Sequence, residues 1–302
     1  MTSSFRFTRP QPSPGQIVVR LLGSVVLMWL ALLGSRLALT PTQVPHLQPQ
    51  DVVRTVPLAG APALTVNAVT DAPLTVAAGS GSALSAHLLG SQADRLTVRT
   101  ARRNGTLTAE LSHTHQPDPP IMSIMSFSHD DPWKQPALAL TLPATVPLDL
   151  NLSEGRHRLT LDLSALTVRQ LRLTGRRGDV RLTLPASGTT RVQLARRYGS
   201  DLQLTVPAGT SRISGTVVLD STPLQLRVPP ATPLRLTRVY PEGPLSEASR
   251  ALRRQPPAGM VLVSVQQDGH VLVFQTPQLT GTPRLDLRVE GDTHEVQLEV
   301  VR

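Results

Sequence analysis

Leu140-Thr-Leu-Pro-Ala144 returns along the chain as Leu161-Asp-Leu-Ser-Ala165, Leu182-Thr-Leu-Pro-Ala186, Leu204-Thr-Val-Pro-Ala208 and Leu226-Arg-Val-Pro-Pro230, at intervals of 21, 21, 22 and 22 residues. Half an interval later a second apolar set recurs: Leu150/Leu152, Leu171/Leu173, Val192/Leu194, Ile213 and Leu234/Leu236, each first member 21 residues after the last. An apolar-x-apolar alternation buries one face of a strand, and the Pro-Ala, Ser-Gly and Arg-Gly dipeptides between these pairs mark bends. The unit of repetition is therefore a coil of two short strands. One such coil has no partner for its apolar face or its backbone ladder, so coils must stack. The sequence predicts an all-β protein, a parallel β-solenoid of 21–22-residue coils over residues 63–240.

Working outward, the alternation begins early, at Leu64-Thr-Val66, Leu74-Thr-Val76, Leu84 to Leu88, Leu96-Thr-Val98 and Leu107 to Leu111. Leu74 and Leu96 are 22 apart and Leu96 and Leu140 are 44 apart, which predicts that the early strands keep the register of the later coils. One coil is interrupted by residues 113–135, a segment rich in histidine, aspartate and proline that is expected to form a surface loop. Beyond Val239 the repeat fails. Residues 241–302 are expected to form a C-terminal cap, with a short helix over Pro244–Arg254 on a Leu245/Ala248/Leu252 face and strands at Met260–Val265, His270–Gln275, Leu285–Val289 and Val296–Val301.

Residues 1–16 read as a disordered cytoplasmic tail. The span 17–39 is free of charge from Leu21 to Ser35 and, as a helix, covers roughly 30 to 35 Å, enough for a hydrocarbon core of about 30 Å. It reads as a transmembrane signal anchor, with a cleaved signal peptide and a buried helix as the alternatives; Pro41 directly after Ala38-Leu39-Thr40 is a poor cleavage context. Arg6, Arg9 and Arg20 against Arg36 place the N-terminus inside and the C-terminal domain outside the cytoplasmic membrane. The lipid bilayer is thus an expected partner. Residues 40–62 carry five prolines and read as an extended tether.

The chain has 302 residues, no cysteine and a net charge of +9 carried almost wholly by arginine. Disulfides and cysteine-ligated zinc are excluded. Aromatic residues make up 3%, which suits a thin stack of small branched side chains. A basic surface favours anionic polymers or lipid headgroups. Nucleic acid is not an expected partner, because bases need aromatic platforms that the basic turns lack.

The run from Leu159 to Pro185 resembles a pattern of bacterial envelope proteins: apolar-x-Asp-Leu-Ser, a strand, Gly-x-x-Gly-Asp-apolar, then Leu-Pro. Asp162, Ser164, Gly175, Gly178, Asp179 and Pro185 occupy its positions. It is similar to adhesin-type domains and to the C-terminal domains of cell-wall-active-antibiotic response regulators. The resemblance covers about 100 residues well. It implies a membrane-tethered, extracytoplasmic β-solenoid, in a family mostly of unknown biochemistry, some members of which are tied to envelope-stress sensing. No catalytic residue, metal ligand or cofactor is implied, and the expected role is an adhesin-like or envelope-sensing scaffold that could work with a membrane partner protein.

Three sets of residues could carry chemistry. Arg156, Arg176, Arg177, Arg196 and Arg197 fall four to six residues past the heads of successive second strands, and stacking predicts an exposed basic ladder for anionic envelope polymer or lipid headgroups. The competing reading is a solvated, arginine-biased turn surface. His113, His115, His129, Asp130 and Asp131 have the residue types of a metal site, against which stands a polar loop. Asp149, Asp162, Asp179 and Asp201 fall at different phases of the coil, so they form no stacked pair; a glycan-active β-helix enzyme, the alternative function, would need two carboxylates within about 10 Å beside an open cleft.

Overall fold

The computed structural model describes residues 22, 24–29, 49–91, 93–115, 136–155, 157–197, 201–240, 256, 257, 259–266, 270–277, 279–291 and 296–301. Two compact units divide the chain, residues 1–45 and 46–302. Of the expected anchor at 17–39, only residue 22 and residues 24–29 are described, as exposed helix; the rest lies outside the described residues. No described helix is long and apolar enough to cross a membrane.

The second unit is all-β. In chain order its strands are β1 (Pro49–Pro57), β2 (Leu64–Thr70), β3 (Leu74–Gly79), β4 (Ala83–Ser91), β5 (Asp94–Arg103), β6 (Thr106–His115), β7 (Ala137–Pro143), β8 (Leu148–Glu154), β9 (Leu159–Asp162) and β10 (Val168–Gly175). There follow β11 (Val180–Thr183), β12 (Thr189–Arg197), β13 (Leu202–Thr205), β14 (Arg212–Asp220), β15 (Leu224–Val228), β16 (Leu234–Val239), β17 (Val261–Gln266), β18 (Val271–Gln275), β19 (Leu285–Gly291) and β20 (Val296–Val300). They form two mixed sheets. One runs β1-β4-β7-β3-β9-β11-β13-β15-β20 and the other β17-β18-β16-β19-β14-β12-β10-β8-β2-β6-β5.

From β8 to β15 the chain passes from one sheet to the other with each strand, and each strand pairs in parallel with the strand one coil away. Leu161, Leu182, Leu204 and Leu226 stand in direct register, the first apolar set of the repeat. Leu150, Leu171 and Val192 do the same in the other sheet. All seven are buried in one core cluster shared by both sheets. Each inward leucine meets its like from the neighbouring coil, and each outward residue meets solvent, so the period of two within strands and the period of 21–22 between them are satisfied together.

Four expectations are corrected. Ile213 does not continue the Leu171–Val192 line: it pairs with Thr190, and Val192 faces Gly215. A Cβ on Gly215 would collide with the Val192 carbonyl oxygen, so the strands approach there as only glycine permits. Leu96 is not a coil equivalent of Leu74, because β3 belongs to the nine-stranded sheet, whereas β5 is an antiparallel edge strand of the other. The extended tether expected at 40–62 does not hold over residues 49–61, since β1 pairs antiparallel with β4 and Leu58 and Ala61 are buried. The ladder is also not purely parallel, with antiparallel pairs at both ends of the stack.

Both ends of the stack are interleaved. Coils β6/β7 and β8/β9, consecutive in sequence, are separated by β2 and β3: Val76 pairs with Leu140 on one side and Leu161 on the other. At the far end β19 enters between β14 and β16, so Leu285 pairs with both Ile213 and Leu234. Its successor β20 pairs with β15. The four strands expected in the cap are present, but two of them extend the stack rather than cover it. The helix expected at 244–254 and residues 116–135 of the insertion lie outside the described residues.

Candidate functional site

At the C-terminal ends of six strands of the eleven-stranded sheet, polar side chains enter an inward row. Thr70, Glu154, Gly175, Arg196, Leu219 and Gly291 are register partners on six adjacent strands. One rung deeper the same strands present Ala68, Leu152, Leu173, Leu194, Val217 and Val289, all buried. In this row the apolar pattern gives way at Thr70, Glu154 and Arg196, while Leu219 keeps it.

Arg196 corrects the ladder prediction. It follows Val192 and Leu194 in the inward phase of β12 and is 1% exposed, with a buried ion pair from its Nη1 to Glu154 Oε1 and a hydrogen bond from Nη2 to the Gly178 carbonyl. Burial pushes its guanidinium down to about 10, still charged at neutral pH. The side chain crosses β10 above Gly175, where a Cβ would collide with both Arg196 Nη1 and Glu154 Oε1. Gly178, at φ +99°, lies so close to the His157 carbonyl that a side chain would not fit. Of the two glycines of the Gly-x-x-Gly-Asp motif, Gly175 makes room for the ion pair, and Gly178 makes room for the His157 backbone while its carbonyl accepts from Arg196.

Arg176, Arg177 and Arg197 are exposed and have no ion-pair partner among the described residues. Arg156 lies outside them. Arg176 and Arg197, 21 residues apart in sequence, line the same cleft of about 660 Å³. Its other walls are Asp71, Ser153, Glu154, His157 and Thr174. The structure thus brings two of the five predicted arginines together on a cleft with two carboxylates. Glu154 Oε2 is buried without a hydrogen-bond partner among the described residues. His157 at the rim is exposed, and partial desolvation by its neighbours sets its imidazole below the ordinary value; the Asp71 charge opposes this and His113 adds to it.

Beside this cleft the histidines expected on a loop are in strand β6. His113 is buried, with Nε2 3.2 Å from Asp94 Oδ1 and Nδ1 3.4 Å from Thr70 Oγ1, while His115 Nδ1 lies 2.8 Å from the same Asp94 oxygen. The His-x-His spacing does place both rings on one side, but on a carboxylate. Ser91 donates from its backbone N–H and its hydroxyl to Asp94 Oδ2, at 2.8 and 3.0 Å. Burial alone would raise the Asp94 carboxyl, yet the bonds from His113, Ser91 and His115 hold it well below the usual carboxylate range. No group of three or more potential ligands among the described residues is placed to hold a metal. His129, Asp130 and Asp131 lie outside them.

Two of the coil aspartates hold structure, while Asp179 stands 3.8 Å from Arg158 at the surface. Asp149 pairs with Arg169 at 2.6 Å, and Asp162 accepts from the Ser164 backbone and hydroxyl at 3.1 and 2.7 Å, closing a turn. Sequence reasoning missed Asp71, Glu154 and His157. The inward phase Leu150-x-Leu152-x-Glu154, mirrored by Val192-x-Leu194-x-Arg196 two coils later, was the available signal.

Fold and cleft together define an all-β protein of stacked strands with a mixed-charge cleft at the C-terminal ends of β8, β10 and β12. No family model matches the chain, and no curated protein matches it. Among solved structures it is similar to a "putative cell adhesion protein" from Clostridium sporogenes, with 13% identity, 84% of this chain and 99% of that chain covered and a TM-score of 0.47. It is also similar to a "putative adhesin" from Bacteroides fragilis, at 9% identity, 83% and 97% coverage and a TM-score of 0.27.

Proposed function

We propose that the protein is a non-enzymatic, adhesin-like scaffold of a bacterial envelope, anchored in the cytoplasmic membrane through residues 17–39 with the β unit outside. In this reading the stacked coils are a β-solenoid that binds an anionic envelope polymer or lipid headgroups through an exposed arginine lip. The observation that carries it is the pairing of Arg176 and Arg197 on one cleft, with Arg177 on the same bend. Guanidinium forks match phosphate and carboxylate oxygens, and arginines gathered at the ends of neighbouring strands repel one another unless an anion sits among them.

The test uses the full chain in detergent micelles on immobilised polygalacturonate, poly(glycerol phosphate) and neutral dextran. Retention on an anionic polymer is expected at 0.1 M salt and fades towards 1 M, as the Debye length falls from about 10 to about 3 Å. The Arg176→Gln/Arg177→Gln/Arg197→Gln variant should lose it. Equal retention of both proteins, or equal retention on dextran, overturns the reading. Carbonate extraction of membranes tests the anchor: release of the chain into the soluble fraction overturns it.

A glycan-cleaving role is the second reading, because Asp71 and Glu154 share the cleft. The Arg196 pair favours Glu154 as a fixed acceptor over a proton donor. Release of reducing ends from polygalacturonate would establish this alternative and sink the scaffold reading.

A further inference from the structure

The cleft has two chemical faces, and an anion alone satisfies only one of them. Arg176 and Arg197 call for negative charge; Asp71, with its exposed carboxylate, and Glu154 call for donors. A simple phosphate would meet the arginines and be repelled by the acids. A simple cation would meet the reverse. The occupant must present an anionic group and donors together, a few ångströms apart.

The donors are further constrained by Glu154. Its charge is already balanced by Arg196, so a second cation there would be one charge too many. What it lacks is a donor to Oε2, which is buried and unpartnered among the described residues. An orphaned buried acceptor is costly, and a neutral hydroxyl meets the need. Glu154 itself lines the cleft, and a donor there reaches Oε2 by a small rotation of the soft terminal carboxylate torsion. Ser153 and Thr174 add hydroxyls to the lining. About 660 Å³ of cleft lies within the range of about 300–1,000 Å³ typical of small-molecule sites.

We propose that this cleft binds a uronic-acid residue of an acidic polysaccharide, its ring hydroxyls donating to Glu154 Oε2 and Asp71 and its carboxylate held by Arg176 and Arg197. This rests on the reading of the arginine lip as a polyanion-binding surface and narrows it to one ligand class. Among the described residues the cleft lining has no Phe, Tyr or Trp ring for the sugar to stack on, so single-site affinity is weak and a polymer gains by engaging several copies.

The experiment compares the full chain in detergent micelles with a galacturonate oligomer, the same oligomer reduced to neutral galactose, an acidic glutamate peptide and a glycerol phosphate oligomer, by calorimetry at one salt concentration. Wild type should bind the galacturonate oligomer at least tenfold more tightly than the other three. Asp71→Ala removes an acceptor, and Thr174→Trp and Ala195→Trp fill the cleft from two adjacent strands at outward positions, so a folding fault in one leaves the other informative. All three should weaken galacturonate binding at least tenfold. If wild type binds galacturonate and glycerol phosphate equally, or the cleft variants keep full galacturonate binding, the cleft proposal fails and the lip reading stands. If wild type binds no anionic oligomer or polymer, both fail. Preference for the peptide overturns the sugar assignment.

Discussion

Arg196 on β12 reaches across β10 to Glu154 on β8, two strands away, and the residue it passes over is Gly175. A charged pair separated by 42 residues in sequence is thereby closed inside a leucine core, with a glycine of the family-like motif as the gap it occupies. This arrangement sets the first prediction. Gly175→Ala forces the two side chains apart and should cost on the order of 2–4 kcal/mol, since a disturbed buried ion pair loses its attraction while keeping its desolvation penalty. A melting temperature equal to wild type would show that the pair can shift freely.

Removing one partner leaves the other charge stranded. Arg196→Leu should destabilise by about 3–5 kcal/mol, and Glu154→Leu/Arg196→Leu should recover most of that loss, because two apolar side chains continue the Leu219 rung without a buried charge. Denaturant midpoints of the single and double variants decide it. Additive losses would mean that the two residues do not act as a pair.

Leu171 and Leu182 are fully buried inward residues, one in each sheet. Leu171→Asp or Leu182→Asp places a carboxylate where no partner waits and should unfold the β unit. Circular dichroism reports this directly. A native-like β spectrum and melt for either variant would contradict the register described above.

Asp94 gives a pH dependence. Its folded-state proton affinity lies below that of the unfolded chain, so between the two values the unfolded state binds more protons and stability rises with pH. Its contribution is complete above about pH 4, near the ordinary carboxylate value, and is lost as pH falls through the depressed folded value. Asp94→Asn should therefore be less stable at pH 7 by on the order of 2 kcal/mol. Its acid-unfolding curve below pH 4 should be flatter. Parallel curves would remove Asp94 as the source of acid sensitivity.

His157 acts in a milder range. Its depressed imidazole favours the neutral form in the fold, so its contribution is complete above about pH 6.5 and declines as pH falls towards the folded value. His157→Gln should flatten the stability profile between about pH 7 and 5 relative to wild type. An unchanged slope would assign that range to other groups.

The register of Leu161, Leu182, Leu204 and Leu226 was legible in the sequence because strand alternation and coil spacing both repeat in one dimension. The partners of Val76 and Leu285 were not. Alternation states which face a residue buries, and Leu-x-Val looks the same whether its neighbour is one coil away or, as for Val76 and Leu140, 64 residues on. Arg196 was misplaced for another reason: it was grouped with Arg197 as a turn pair, although its parity with Val192 and Leu194 put it indoors. The cleft depends on Asp71 from β2's exit lying beside β8 and β10, which only the interleaving provides.

That interleaving also limits how such a protein changes its length in evolution. Between Leu148 and Val228, neighbours in sequence are neighbours in space, so a tandem duplication of one coil adds a rung and leaves every other pairing intact. The same duplication near Val76 or Leu285 would separate strands that must lie side by side, and its product would have to find a new arrangement. Gains and losses of coils among proteins built on this plan should therefore concentrate in the middle, where the ruler can be lengthened without moving either end mark.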